Sequence, residues 1–102
     1  MQQTLSNQQL TDIAHEFGSP VYVYHAERIT EQYNKLKNAF SKSNARFFYA
    51  CKSLTNVNVL KHILSIGASL DCVSIHEVKL GLMAGFEPKN ILYTPNCVDF
   101  DE

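Results

Sequence analysis

The sequence predicts an α/β fold that forms the N-terminal portion of a (β/α)8 barrel, preceded by a helix and a strand. From residue 47 onward, short aromatic or β-branched runs alternate with amphipathic helical segments. Alternation of this kind gives parallel strands joined by right-handed crossovers. The chain has 102 residues, whereas such a barrel typically needs about 250. We therefore expect an incomplete barrel, too short to cover both faces of its parallel sheet.

The first 25 residues are predicted to be a helix followed by a strand. Ser6 and Gln9 form a capping-box pattern, and apolar residues then recur at helical spacing until Gly18. Residues 21–25 are β-branched and aromatic, which is typical of a strand. These two elements precede the part of the chain that we expect to form the barrel.

The barrel part opens with a predicted helix at 26–41, whose apolar residues form one stripe. The alternation that follows predicts fully buried strands, because parallel sheets are covered on both faces. Ser74 and Glu77 form a second capping-box pattern at the start of a helix. The predicted elements after residue 41 are strand 47–52, helix 57–66, strand 69–73, helix 75–85, strand 91–94 and a helix that begins at Asp99.

Composition argues against several kinds of partner. Nine basic and ten acidic residues give a net charge of -1, so there is no electrostatic footprint for nucleic acid or a membrane surface. No long apolar run predicts a membrane span or a leader peptide, and we expect a cytoplasmic protein. Cys51, Cys72 and Cys97 are odd in number and far apart in sequence. This pattern favours reduced thiols over a disulfide framework or a metal site.

Polar residues at the predicted strand ends are the candidate functional residues. Lys52 ends the first barrel strand; it is either a solvated strand terminus or, if desolvated, an amine that can form a Schiff base. Asp71 lies on the second strand, where aspartate is unfavourable. It either pairs with an amine or a cationic ring nearby, or satisfies a loop amide. Glu77 has a sufficient role as a helix cap, and Asn96 is either a site residue or a cap.

Four segments together resemble one family, the fold-type III pyridoxal-phosphate decarboxylases. Residues 49–52, Tyr-Ala-Cys-Lys, resemble the Tyr-Ala-x-Lys motif of that family. Residues 67–77 and 84–96 resemble its second-strand and third-strand segments, and residues 17–24 are similar to the segment typical of its diaminopimelate decarboxylases. The four follow one another in the family's order and cover nearly the whole chain. The chain departs from the family pattern in the loops after each strand, at residues 53–54, 75–76 and 95–98.

The resemblance implies that residues 1–25 are a helix and a strand of a second, β-rich domain, and that residues 26–102 are the first part of the barrel. It also implies a cofactor, pyridoxal 5'-phosphate, and a function. Lys52 matches the lysine that binds this cofactor as a Schiff base, Asp71 matches an acid near that lysine and the cofactor, and Glu77 matches a second acidic position. The implied reaction of the full-length enzyme, a homodimer, is decarboxylation of meso-diaminopimelate to L-lysine and CO₂. The 102-residue chain alone is expected to be inactive, since the other cofactor and substrate ligands of the family would lie beyond Glu102.

Three alternatives remain open. Arginine, ornithine or carboxynorspermidine decarboxylases share the fold, and a non-catalytic pyridoxal-phosphate-binding barrel shares the motif. The predicted strand at 21–25 argues against the non-catalytic barrel, which lacks the β-rich domain. An alanine racemase is disfavoured because residues 53–55 do not match its sequence after the lysine.

Overall fold

The computed structural model describes residues 4–99 and residue 101. It contains four α-helices and three strands within these residues, together with two short 3₁₀ turns at Cys51–Ser53 and Pro88–Asn90. The elements follow one another as α1 (Asn7–Phe17), α2 (Ala26–Ala39), β1 (Phe48–Ala50), α3 (Val57–Ser65), β2 (Ser69–Cys72), α4 (Ile75–Ala84) and β3 (Ile91–Tyr93).

The three strands form one parallel sheet in the order β1-β2-β3. Asp71 of β2 is in register with Ala50 of β1 and with Leu92 of β3. Because all three strands run the same way, their carboxyl ends lie at one edge of the sheet. The predicted α/β alternation with parallel strands is therefore confirmed, and the edge that should carry the site is defined.

The core lies between the sheet and the two helices α3 and α4. In strand β2, Leu70 and Cys72 have no exposed surface and face the helices, so Asp71 between them lies on the opposite face. Gly81 lets α4 approach the sheet, because a Cβ at this position would be 2.6 Å from Leu70 Cδ2. The buried apolar residues are Cys51, Val59, Leu60, Ile63, Ala68, Leu70, Cys72, Ala84 and Phe86.

Side-chain caps fix where three of the helices begin. The capping box predicted for α1 is confirmed, with Gln9 N donating to Ser6 Oγ at 3.1 Å and Ser6 N donating to Gln9 Oε1 at 2.8 Å. Asn56 caps α3 by accepting from two backbone N–H groups of its first turn. Ser74 caps α4 through Glu77 N at 3.2 Å, so the predicted start of this helix is confirmed.

Helix α2 is joined to α3 by a side-chain hydrogen bond. Thr30 Oγ1 and His62 Nε2 are 2.7 Å apart. Tyr33 of α2 also meets Phe47 edge to face, with ring centroids 6.0 Å apart. These contacts hold α2 against the barrel elements.

Two expectations about strands were wrong, and the strand predicted at residues 21–25 is not formed within the described residues. Residues 21–25 have no regular secondary structure, because a strand needs a hydrogen-bonded neighbour and the three-stranded sheet does not include this segment. Strand β1 ends at Ala50, so Lys52 lies in a 3₁₀ turn rather than on the strand. Strand β3 is not fully buried: Leu92 is 46% exposed, because its register with Asp71 places it on the sheet face opposite the core formed with α3 and α4.

The described chain is extended for its length. Its radius of gyration is 16.2 Å, whereas a compact domain of this size would have about 13 Å. Large apolar side chains remain exposed on α1, on residues 21–24, on α4 and on β3. The predicted helix at Asp99 lies mostly outside the described residues. Within the described part of the chain, no helix has the length and apolar character needed to cross a membrane.

Candidate active site

Lys52 lies at the carboxyl edge of the sheet, directly after β1. The 3₁₀ turn Cys51–Ser53 turns the chain so that Cys51 is fully buried while Lys52 is exposed. Among the described residues, the Lys52 amine makes no hydrogen bond or ion pair. The amine is therefore exposed and, within the described part of the chain, without a partner at this edge of the sheet.

Asp71 lies one strand along at the same edge. Its register with Ala50 places it one row before Cys51 and two before Lys52. The side chain is half-buried, and no direct contact joins it to Lys52 among the described residues. The structure thus brings the two predicted site residues to neighbouring strand ends without linking them.

Thr94 was missed by the sequence analysis. It follows β3 and donates its hydroxyl proton to Asp71 Oδ1 at 2.7 Å. Its backbone N–H donates to the Cys72 carbonyl at 2.8 Å, which extends the β2–β3 ladder by one residue. No sequence signal identifies this pair, because the contact depends on the register of two strands 23 residues apart.

Glu77 has a structural role that differs from the expected capping box. Its Oε1 accepts a hydrogen bond from Val73 N at 3.1 Å, one residue before the Ser74 cap. The carboxylate therefore anchors the β2–α4 connection on the helix side of the sheet. Asn96 is exposed in the loop after β3 and caps none of the four helices that the described residues contain.

Cys51 and Cys72 come together with Glu77 behind the two site residues. The sulfur atoms and a Glu77 carboxylate oxygen all lie within 4.8 Å of one another. Burial raises the pKa of the Cys72 thiol to about 12, and the nearby Cys51, Glu77 and Asp71 add to this rise. Burial also raises the pKa of the Cys51 thiol, and the nearby Glu77 raises it further. Both thiols are thus protonated at neutral pH and unsuited to act as nucleophiles.

Tyr49 supports the turn that carries Lys52. Its hydroxyl donates to the Leu54 carbonyl at 3.1 Å, which spans the 3₁₀ turn. Burial raises the pKa of Tyr49, and the nearby Cys51 raises it further. The Tyr49 hydroxyl therefore keeps its proton and donates it to the Leu54 carbonyl. This hydrogen bond fixes the turn that carries Lys52.

A family model matches three quarters of the chain. Residues 26–102 match "Pyridoxal-dependent decarboxylase, pyridoxal binding domain". This span includes the whole sheet, α2 to α4 and both predicted site residues.

The curated relatives include several diaminopimelate decarboxylases. The chain is 46% identical to that of Methanothermobacter thermautotrophicus over 93 residues, which cover 89% of this chain and 22% of the relative. It is 37% identical to that of Campylobacter jejuni over 79 residues, which cover 78% of this chain and 20% of the relative. The chain thus spans about a fifth of the length of these relatives.

Solved structures show the same arrangement. The lysine/ornithine decarboxylase of Vibrio vulnificus, complexed with putrescine, superposes with a TM-score of 0.83 at 28% identity, covering 94% of this chain and 27% of that one. The diaminopimelate decarboxylase of Helicobacter pylori, complexed with L-lysine, gives 0.78 at 27% identity, covering 84% and 22%. The parallel sheet, its carboxyl edge and these matches lead to one conclusion: the chain belongs to the pyridoxal-dependent decarboxylases, as part of their pyridoxal-binding barrel domain.

Proposed function

We propose that this chain is the pyridoxal-phosphate-anchoring part of an enzyme that decarboxylates meso-diaminopimelate to L-lysine. The observation that carries the proposal is an exposed, unpaired Lys52 amine at the carboxyl edge of the sheet, with Asp71 on the next strand end. Catalytic groups of (β/α)8 barrels lie at this edge. The substrate is proposed from the relatives, several of which are diaminopimelate decarboxylases.

The residues at the edge fit a pyridoxal cofactor. A lysine amine can hold an aldehyde covalently as a Schiff base, and Lys52 has no ion pair among the described residues that would have to be broken first. Asp71 presents a carboxylate on the sheet face opposite the helices, where it can bind a cationic nitrogen. When bound, pyridoxal phosphate supplies an electron sink for the electron pair left behind as CO₂ departs.

Each residue then has a definite task. Lys52 Nζ would hold the cofactor until the substrate amine displaces it, and it could carry a proton at the same position afterwards. The Asp71 carboxylate stabilises positive charge at the edge. Tyr49 keeps the turn closed through Leu54, so the amine stays at the end of β1.

A second unit is proposed for residues 1–25. The family match begins at residue 26, and the preceding segment carries exposed aromatic residues, with Tyr22 89% exposed. An extended, unpaired apolar segment of this kind is suited to join another sheet. We propose that residues 21–25 become a strand of a β-rich domain when that sheet is present.

A lysine or ornithine substrate is the second candidate. The structure of the Vibrio vulnificus lysine/ornithine decarboxylase gives a TM-score of 0.83, so the backbone does not separate the two substrate classes.

A chimera tests the role of Lys52. Residues 1–102 would replace the matching segment of the Methanothermobacter diaminopimelate decarboxylase, which supplies the remaining barrel strands. We expect Lys52→Ala to abolish the absorbance of covalently bound cofactor, and borohydride reduction of the unmutated chimera to leave the cofactor mass on the peptide that contains Lys52. Lys61→Ala is the matched control, since Lys61 is an exposed lysine on α3. A covalent adduct that persists in Lys52→Ala would eliminate Lys52 as the anchor.

A second chimera tests the substrate. Residues 1–102 would be joined to the remainder of the Vibrio lysine/ornithine decarboxylase, and release of CO₂ would be measured with meso-diaminopimelate, lysine and ornithine. We expect the Methanothermobacter chimera to retain kcat/KM for meso-diaminopimelate within about tenfold of its parent, a change of about 1.4 kcal/mol. The Vibrio chimera should lose far more than tenfold of its own parent's kcat/KM for lysine and ornithine. The reverse pattern would favour the lysine or ornithine substrate.

A further inference from the structure

Thr94 is fixed at the end of β3 by two hydrogen bonds to β2. Its N–H donates to the Cys72 carbonyl at 2.8 Å, which sets the backbone. Its Oγ1 is 2.7 Å from Asp71 Oδ1 and 3.4 Å from the Cys72 carbonyl oxygen. A hydroxyl has one proton to donate, and the shorter contact to a charged acceptor is the stronger one. The proton therefore goes to Asp71.

This bond restrains one oxygen of Asp71 and leaves the other available. Oδ1 accepts from Thr94, while Oδ2 accepts from no donor among the described residues. A carboxylate has acceptor sites on both oxygens. With Oδ1 held, rotation of the side chain is restricted, and Oδ2 keeps a defined orientation on the face opposite the buried Leu70 and Cys72.

We propose that Thr94 is a positioning residue for Asp71: its hydroxyl holds the carboxylate so that Oδ2 can bind a cationic N–H group of the ligand at the sheet edge. The inference rests on the proposed function, because that function places the pyridoxal cofactor and amine substrate at this edge. The ligand class is a protonated amine or a protonated ring nitrogen. Thr94 itself touches no reacting atom and acts only through Asp71.

The test compares three variants in the Methanothermobacter chimera. Thr94→Val removes the hydroxyl at nearly constant volume, Thr94→Ser keeps it, and Thr11→Val removes a hydroxyl that bonds only within α1, to the Asn7 carbonyl at 2.8 Å. A hydrogen bond to a charged group is strong enough that its loss should weaken equilibrium binding of pyridoxal phosphate about tenfold in Thr94→Val. Binding in Thr94→Ser and Thr11→Val should stay within about twofold of the unmutated chimera.

Two further readouts separate positioning from a structural role. Crystals of the cofactor-free chimera should show Asp71 in a new rotamer in Thr94→Val and in the original one in Thr94→Ser. In an Asp71→Asn background, Thr94→Val should cost less than about threefold in cofactor binding, because the two residues act as one unit.

The possible results are distinguishable. Equal losses in Thr94→Val and Thr94→Ser, an unchanged Asp71 rotamer, or a full tenfold loss in the Asp71→Asn background would each overturn the role of the hydroxyl. Failure of the proposed function would instead appear as unaltered cofactor binding in Lys52→Ala. The crystals of the cofactor-free chimera test the Thr94–Asp71 bond whether or not the proposed function is correct.

Discussion

The buried thiol of Cys72 should be strongly protected from alkylation in the native protein. Iodoacetamide reacts with the thiolate, not the thiol. Burial is the first cause that raises the pKa of Cys72 from 9.0 to about 12, and the neighbouring Cys51, Glu77 and Asp71 add to it. The protection therefore reports on the packing directly behind Lys52 and Asp71.

The magnitude follows from the two pKa values of Cys72. A rise from 9.0 to about 12 lowers the thiolate fraction at pH 8 about a thousandfold. The unfolded chain holds this proton less tightly, so the free energy of unfolding is unaffected below pH 9 and falls as the pH rises toward 12. The slope from Cys72 alone is about 1.4 kcal/mol per pH unit.

The assay follows alkylation of each cysteine in the chimera by peptide mass spectrometry between pH 7 and pH 11. At pH 8, Cys72 should react about a thousandfold more slowly in native buffer than in urea, and its native rate should still rise beyond pH 9. The exposed Cys97 is the internal control, and its rate should differ little between the two buffers. A native Cys72 rate within about tenfold of the urea rate, or one that levels off near pH 9, would refute the buried cluster.

Two other predictions concern packing. Gly81→Ala should lower the free energy of unfolding of the chimera by about 1–2 kcal/mol, because overpacking against Leu70 outweighs the helix propensity of alanine. Thermal unfolding measures this loss. Adding Leu70→Val to the Gly81→Ala protein should recover part of it. The isolated 102-residue chain should show no cooperative unfolding transition by circular dichroism in urea, since its buried core is small and its apolar surface is extensive; a sharp transition would contradict an incomplete barrel.

Local patterns in the sequence predicted the order of the elements because those patterns carry their own physical signals. The Ser6 cap, the Ser74 cap and the alternation of strands and helices depend on residues close together in the chain. The strand at 21–25 could not be judged in the same way. Its composition favours a strand, but a strand forms only when another strand pairs with it, and the pairing partner is not written in the local sequence.

The candidate site residues could be predicted in part, again because part of the signal is local in the sequence. Lys52 and Asp71 are recognisable as polar residues at strand ends, and the parallel sheet does bring them to one edge. The bond of Thr94 to Asp71 and the contact between the two buried thiols were not predictable, because both depend on register. A shift of one residue between β2 and β3 would separate Thr94 from Asp71 and would turn every side chain to the other face.

Each candidate site residue has a buried neighbour in the sequence. Cys51 precedes Lys52 and Cys72 follows Asp71, and both cysteines are fully buried against the helix layer. Because these neighbours are fixed by packing, the exposed residues beside them have little freedom to move along the edge. The buried cluster of Cys51, Cys72 and Glu77 lies on the helix side of the sheet and fixes the backbone beside Lys52 and Asp71. If the proposed cofactor is held at this edge, loosening the cluster should weaken cofactor binding, because the two candidate site residues would lose their fixed positions.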